Sequence, residues 1–226
     1  MSSYPLRQSA RTLRGLVRRV HNSAFGPAPR AAKDYATHLP ILVGLAHSFE
    51  IVKVLELGCG DFSSLTFLNR DVFQCLDHLT SFETDQVWLQ RVSEKLRKDM
   101  RFSPRFIPGS MAEGIEQVDL EDFDIVFVDD STNAEERKRT IQTIYQKKPQ
   151  RPFIVIHDFE VGEYRFAAKD FRSRYIFKAL TPQTGVVWNG TAPSTALKKI
   201  DRTIKQFCAQ LEPDDLNNWK LAFAKG

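Results

Sequence analysis

Val54–Ser64 reads VLELGCGDFSS. An apolar run carries one acid, Glu56, and then breaks into Gly58, Cys59, Gly60 and Asp61. Two readings fit the glycines. One is a tight strand-to-helix turn. The other is a loop over which a nucleotide-like cofactor lies. Glu56 has to discriminate, because a carboxylate inside a buried strand is costly unless it is partnered.

Outward from this stretch, strand and helix signals alternate. YATHLPILVGLAHSF reads as a helix leading into the strand VKVLELG, and a helix follows from about Ser63. HLTSFET is the next strand, followed by a helix from Asp85 to about Lys98. RFIPG reads as a short strand and MAEGIEQV as a short helix. FDIVFVDD is a buried strand. NAEERKRTIQTIYQ is an amphipathic helix with Ile141, Ile144 and Tyr145 facing in, and PFIVIHD is another buried strand. Strands apolar on both faces and spaced by helices imply a parallel sheet covered on both sides, wound in the right-handed sense. RYIFKAL and TGVVWNG, joined by TPQ, are too close for a parallel crossover and predict an antiparallel pair. STALKKIDRTIKQFCAQL then closes the chain as a helix. The expected fold is α/β and doubly wound: a mostly parallel seven-stranded sheet with an antiparallel last strand. In such sheets ligands bind beyond the carboxyl ends of the strands. The polar residues fall there, since Gly58–Asp61, Glu83, Asp129–Asp130 and His157–Asp158 each end an apolar run.

The totals agree with one domain of ordinary make-up. The 226 residues are 42% hydrophobic and 27% charged, and no apolar run approaches the roughly 18–20 residues of a spanning helix. Three scattered cysteines, Cys59, Cys75 and Cys208, form no disulfide framework, which points to a reducing, cytoplasmic setting. The net charge of +4 is unevenly placed. No acid precedes Asp34, whereas Arg7, Arg11, Arg14, Arg18, Arg19, Arg30 and Lys33 are all basic, leaving the remainder slightly acidic. Residues 1–33 therefore divide off as a basic helical arm and linker, and 34–226 as the main domain. The arm could pack on its own domain, pair two copies as a homodimer, or meet nucleic acid or a membrane surface. Its confinement to one end argues against the last two.

A dinucleotide fold wants G-x-G-x-x-G. Here Gly58 and Gly60 are followed by Phe62, Ser63 and Ser64, so the third glycine is missing and a nicotinamide-dependent oxidoreductase is the weaker alternative. No Gly-Lys-Ser/Thr follows, which excludes a Walker loop. Glu56 would repel a pyrophosphate. It suits a cofactor with a cationic end and no phosphate, such as S-adenosylmethionine with its ammonium and sulfonium. Glu83 lies 27 residues past Glu56, a spacing suited to a ribose contact.

These residues, with GSMAEGI after the third strand and FDIVFVDD at the fourth, resemble class I S-adenosylmethionine-dependent methyltransferases over about residues 38–190. LELGCGDFSSLTF, FVDD…EERKRTI and FIVIHDFE look most like the small-molecule O-methyltransferase branch. The resemblance implies that Gly58 and Gly60 form the cofactor loop and that Glu56 acts near the methionine ammonium. It implies that Glu83 takes the ribose hydroxyls, that Ser110 and Met111 lie at the adenine edge, and that Asp129 lies beneath the methionine moiety. The acceptor would be a small molecule bearing a hydroxyl or carboxyl group.

On the acceptor side, VIHDFE offers His157 and Asp158 as catalytic residues. A histidine near neutral pKa can take a hydroxyl proton as a methyl arrives. Asp158 would point away from it if the strand pleat continued. The reading needs no metal. Were a divalent ion used, Asp129, Asp130 and Asp158 would hold it, with Glu160 in reach, since Phe159 stands where a similar metal-dependent site has an asparagine ligand. Tyr164 and Trp188 are candidate pocket or core aromatics, and EVGEYRF a candidate lid around Gly162.

Overall fold

The computed structural model describes residues 37–178, 180–190 and 198–204. The arm and linker of residues 1–33, and all of the expected closing helix except the helical stretch 198–204, lie outside them.

Seven strands form one sheet: β1 (Lys53–Leu57), β2 (His78–Glu83), β3 (Phe102–Phe106), β4 (Ile125–Val128), β5 (Phe153–Ile156), β6 (Ser173–Phe177) and β7 (Thr184–Trp188). Their spatial order is β3-β2-β1-β4-β5-β7-β6. The first five run parallel, and β7 inserts antiparallel between β5 and β6. This is the doubly wound sheet expected, with its antiparallel last strand. The helices are α1 (Leu39–Ser48), α2 (Ser63–Phe67), α3 (Gln86–Leu96), α4 (Met111–Glu116), α5 (Ala134–Gln146) and α6 (Gly162–Ala167).

The strand alternation divides the core in two. Val54, Phe127, Val155 and Val186 face α1, α3 and the stretch 198–204, and Phe67 of α2 joins this cluster. Leu55, Leu57, Val126, Val128 and Ile156 face α4, α5 and α6. Each fully buried aliphatic chain contributes about 1.5–3 kcal/mol. That stabilisation makes the register in the centre of the sheet hard to slip.

Two local expectations need correction, and one left open is decided. The third strand starts and ends earlier than RFIPG. It carries Pro104 and is largely exposed because it is an edge strand, where a missing N–H is tolerated. The segment expected as a lid instead opens α6 at Gly162 and buries Tyr164. Trp188 is a core residue stacked edge-on to Phe153 at 5.5 Å.

Several helix starts are written in the sequence. Asp85 accepts from Val87 and Trp88 amides ahead of α3, and Asn133 accepts from the Glu135 amide ahead of α5. Ser110 and Glu113 form a reciprocal capping box on α4. Each such cap is worth about 1 kcal/mol.

Candidate functional site at the carboxyl edge of the sheet

Glu56 lies inside β1 and is fully buried. Its Oε2 accepts from Ser64 Oγ at 2.7 Å and from Ser81 Oγ on the neighbouring strand. Ser64 in turn accepts from the Gly60 amide at 3.1 Å, so the glycine turn is tied to the acid beneath it. Oε1 is buried and has no hydrogen-bond partner among the described residues. Burial pushes the Glu56 pKa up to about 7, with the serine hydrogen bonds opposing and the Glu83 charge adding.

The turn is shaped by Gly58, whose φ is +85°. A Cβ there would lie 2.2 Å from the carbonyl oxygen of Asp129. The end of β1 therefore runs directly against the end of β4, and only glycine fits. Gly60 is different: a Cβ would meet only Ser63 Oγ, at 3.3 Å. Asp61, also buried, pairs with Lys95 at 2.6 Å and Arg91 at 3.5 Å, which fastens the turn to α3.

Glu83 ends β2. Its Oε1 accepts the Thr84 and Asp85 amides at 2.8 and 2.9 Å, and its Oε2 accepts from the Cys59 thiol at 3.7 Å. Burial raises its pKa, against the lowering effect of those amides. The Cys59 carbonyl accepts from the Trp88 indole at 2.6 Å, so turn, acid and helix form one unit. Ser110 and Met111 follow the end of β3. Ser110 Oγ is engaged in the α4 cap, and Met111 packs in the core.

A second group gathers at the ends of β4 and β5. Asp129 sends Oδ1 to Arg137 Nη2 at 2.8 Å and Oδ2 to His157 Nδ1 at 3.3 Å. His157 Nε2 lies 3.0 Å from Thr37 Oγ1. Burial alone would lower the His157 pKa, but the adjoining Asp129 carboxylate outweighs it and the net shift is upward. Burial likewise pushes Asp129 up, and His157 and Arg137 reverse this, holding it well below the usual carboxylate range.

The pleat does not continue past β5. Asp158 adopts φ +55°, a left-handed conformation that aspartate tolerates. Its side chain folds back instead of pointing away. Oδ1 lies 3.6 Å from His157 Nδ1, and Oδ2 accepts from Arg137 Nη1 at 2.8 Å. Asp130 accepts from Thr140 Oγ1 at 2.6 Å and faces Arg137 Nε at 3.7 Å. Burial raises its pKa to about 6. Asp129, Asp130 and Asp158 thus converge on a shared cation, and that cation is the Arg137 guanidinium. Glu160 turns elsewhere and accepts the Gln183 amide at 2.7 Å.

Glu56, Gly58, Gly60, Glu83 and Asp129 stand along one edge, with His157 and Asp158 beside Asp129. Sequence reasoning missed Ser64, Ser81, Arg137, Thr37 and His38. His38, at the N-terminus of α1, lies T-shaped against His157 with ring centroids 5.0 Å apart.

No protein-family model matches the sequence, and no curated protein matches it. Solved structures do match in shape. The chain is similar to cofactor-bound Rv0187 from MTB, with a TM-score of 0.53 and 14% identity over 77% of this chain and 96% of that one. It is similar to the METTL16 MTase domain, with a TM-score of 0.52 and 12% identity over 79% of each chain. With the strand order β3-β2-β1-β4-β5-β7-β6 and the inserted antiparallel strand, the chain has the Rossmann-like methyltransferase fold.

Proposed function

We propose that the chain is an S-adenosylmethionine-dependent methyltransferase acting on a hydroxyl or carboxyl group of a small molecule. The observation that carries this reading is Glu56: a buried carboxylate beneath a glycine turn, close to Ser63, with no hydrogen bond made to Oε1 among the described residues. A cationic ligand end is what such an oxygen suits, and a pyrophosphate is what it repels. Ser64 and Ser81 hold the carboxylate still. Glu83 keeps acceptor capacity on Oε2 for a pair of ribose hydroxyls.

When bound, S-adenosylmethionine would supply an electrophilic methyl group. The chain's own part is to position the acceptor and take its proton. In this reading Asp129 holds the proton on Nδ1, so Nε2 carries the lone pair that acts as base. Thr37 Oγ1 occupies that nitrogen at 3.0 Å, and an acceptor hydroxyl would take its place. There the acceptor would give its proton to Nε2. Arg137 holds Asp129 and Asp158 in line behind the imidazole.

The test is calorimetric titration of the full chain with S-adenosylhomocysteine and, in parallel, NAD. This is followed by a transfer screen over sugar, phenol and carboxylate acceptors. Binding of NAD in preference to S-adenosylhomocysteine overturns the reading.

A further inference from the structure

His38 is the residue the proposed mechanism does not use. It is 1% exposed, and neither ring nitrogen has a hydrogen-bond partner among the described residues. Burying such a ring is costly unless something satisfies its nitrogens.

We infer that His38, Asp129 and His157 form a binding site for a divalent transition-metal ion of the zinc class. The donor atoms of the three residues all lie within 4.8 Å of one another. His157 Nδ1 and Asp129 Oδ2 are already 3.3 Å apart. Bonds of about 2.1 Å at tetrahedral angles put donors about 3.4 Å apart, so this pair is set and the widest pair closes by roughly 1–1.5 Å. Two imidazoles and one carboxylate select zinc-like ions over magnesium or calcium, which prefer all-oxygen shells. Three protein ligands leave a fourth position for water or an acceptor oxygen.

The surroundings suit an ion. Arg137 binds the other oxygen of Asp129 and so orients it. Asp129, Asp130 and Asp158 bring three carboxylates against this one guanidinium, a surplus of acidic groups that favours a cation beside them. Thr37 accommodates the change of tautomer. With the proton on Nδ1, its hydroxyl donates to Nε2; with an ion on Nδ1, it accepts from Nε2–H. Ion binding therefore displaces the Nδ1 proton and removes the lone pair used in the base role. Metal occupancy and imidazole base catalysis are alternative states of one residue.

This inference rests on the site alone and not on methyl transfer, so the two can be tested apart. The full chain, freed of metal and dialysed against Co²⁺, should take up about one ion per chain, with visible d–d absorption that Zn²⁺ bleaches on competition. His38→Ala and His157→Ala should each weaken uptake by more than the roughly 10–100-fold that losing an outer partner costs. Thermal unfolding establishes that the variants are folded, and His38→Gln replaces His38→Ala if the smaller side chain collapses the site. No stoichiometric uptake by the folded wild-type chain overturns the inference. So does uptake that persists in folded variants of both histidines. S-adenosylhomocysteine binding in the same preparations decides the methyltransferase reading separately. Ion uptake without it sinks that reading and leaves the metal site standing.

Discussion

If Glu56 receives the cationic end of the cofactor as proposed, affinity should depend on pH in a way that can be calculated. The Glu56 pKa stands at about 7 because the residue is buried, and Oε1 lacks a partner among the described residues. An ammonium docked against that oxygen interacts with the carboxylate and hardly at all with the neutral acid. Binding therefore draws on the ionised fraction, which is roughly one-tenth at pH 6 and nine-tenths at pH 8 for a pKa of about 7. S-adenosylhomocysteine should bind about tenfold more weakly at pH 6 than at pH 8, close to 1.4 kcal/mol. Binding pulls the pKa down, so at pH 6 it should release nearly one proton. Calorimetry in buffers of different ionisation enthalpy measures that directly. Other groups in the site also titrate near neutrality, and Glu56→Gln isolates the contribution of this one. The variant keeps the shape, loses a charge-assisted contact worth about 1.5–3 kcal/mol, and should bind roughly 10–100-fold more weakly at pH 8. Its affinity should also change less from pH 6 to 8 than that of the wild type. A wild-type affinity independent of pH over that range, or a slope that is the same in Glu56→Gln, would refute the pairing of Glu56 with a cationic ligand.

Other outcomes follow from the same geometry. Glu83→Ala should weaken S-adenosylhomocysteine binding roughly 10–100-fold, and an unchanged dissociation constant in the folded variant removes Glu83 from the ribose. Gly58→Ala places a Cβ against the Asp129 carbonyl at a φ of +85°. It should lower stability by at least the 1–3 kcal/mol or so of left-handed strain, read as a drop in denaturant midpoint, whereas Gly60→Ala should be close to neutral. His157→Ala should depress turnover on an identified acceptor by about 10²–10⁴-fold with cofactor affinity unchanged, and full activity sinks the base assignment. The ligand-free chain should lose stabilisation from Glu56 as pH rises from 5.5 to 8. Its folded pKa is raised to about 7, so the folded state holds a proton that the unfolded state has given up, and that advantage is lost as pH climbs through about 7. Asp130 and His157, also raised, act in the same sense, whereas His38 and His47, lowered by burial, act in the opposite one. The thermal midpoint of the wild type should therefore fall more, or rise less, between pH 5.5 and 8 than that of Glu56→Gln, and equal slopes in the two would contradict this.

What was legible in the sequence was what repeats or punctuates. Buried strands spaced by helices announced the sheet, and TPQ between two β-rich runs announced the antiparallel pair. Glu56, Glu83 and Asp129 were visible because an acid ending an apolar run has no packing reason to be there. Arg137 was missed although a signal existed. It lies four residues before Ile141 on α5, and so on the buried face, where a charge needs partners. Ser64 and Ser81 carried no such signal, since a serine in a turn or a strand is ordinary. The orientation of Asp158 was misread because alternation assumes extended backbone, and a left-handed residue ends it. His38 could not be read at all. It precedes the helix it opens, and only tertiary packing carries it across 119 residues to His157.

The two halves of the site share a mechanical joint. Gly58 of the turn and Asp129 of the β4 end touch so closely that no side chain fits between them. Asp129 is also the residue that orients His157 and is itself held by Arg137. A ligand that shifts the glycine turn must therefore press on the backbone of the residue that sets the imidazole. Conversely, a change in the charge of the Asp129–His157 pair acts on the carbonyl against which the turn rests. The barrier to independent movement is steric, because a packed contact of this kind passes displacement on and does not absorb it. If a ligand occupies the turn as proposed, the Gly58–Asp129 contact is where its binding would be felt at His157.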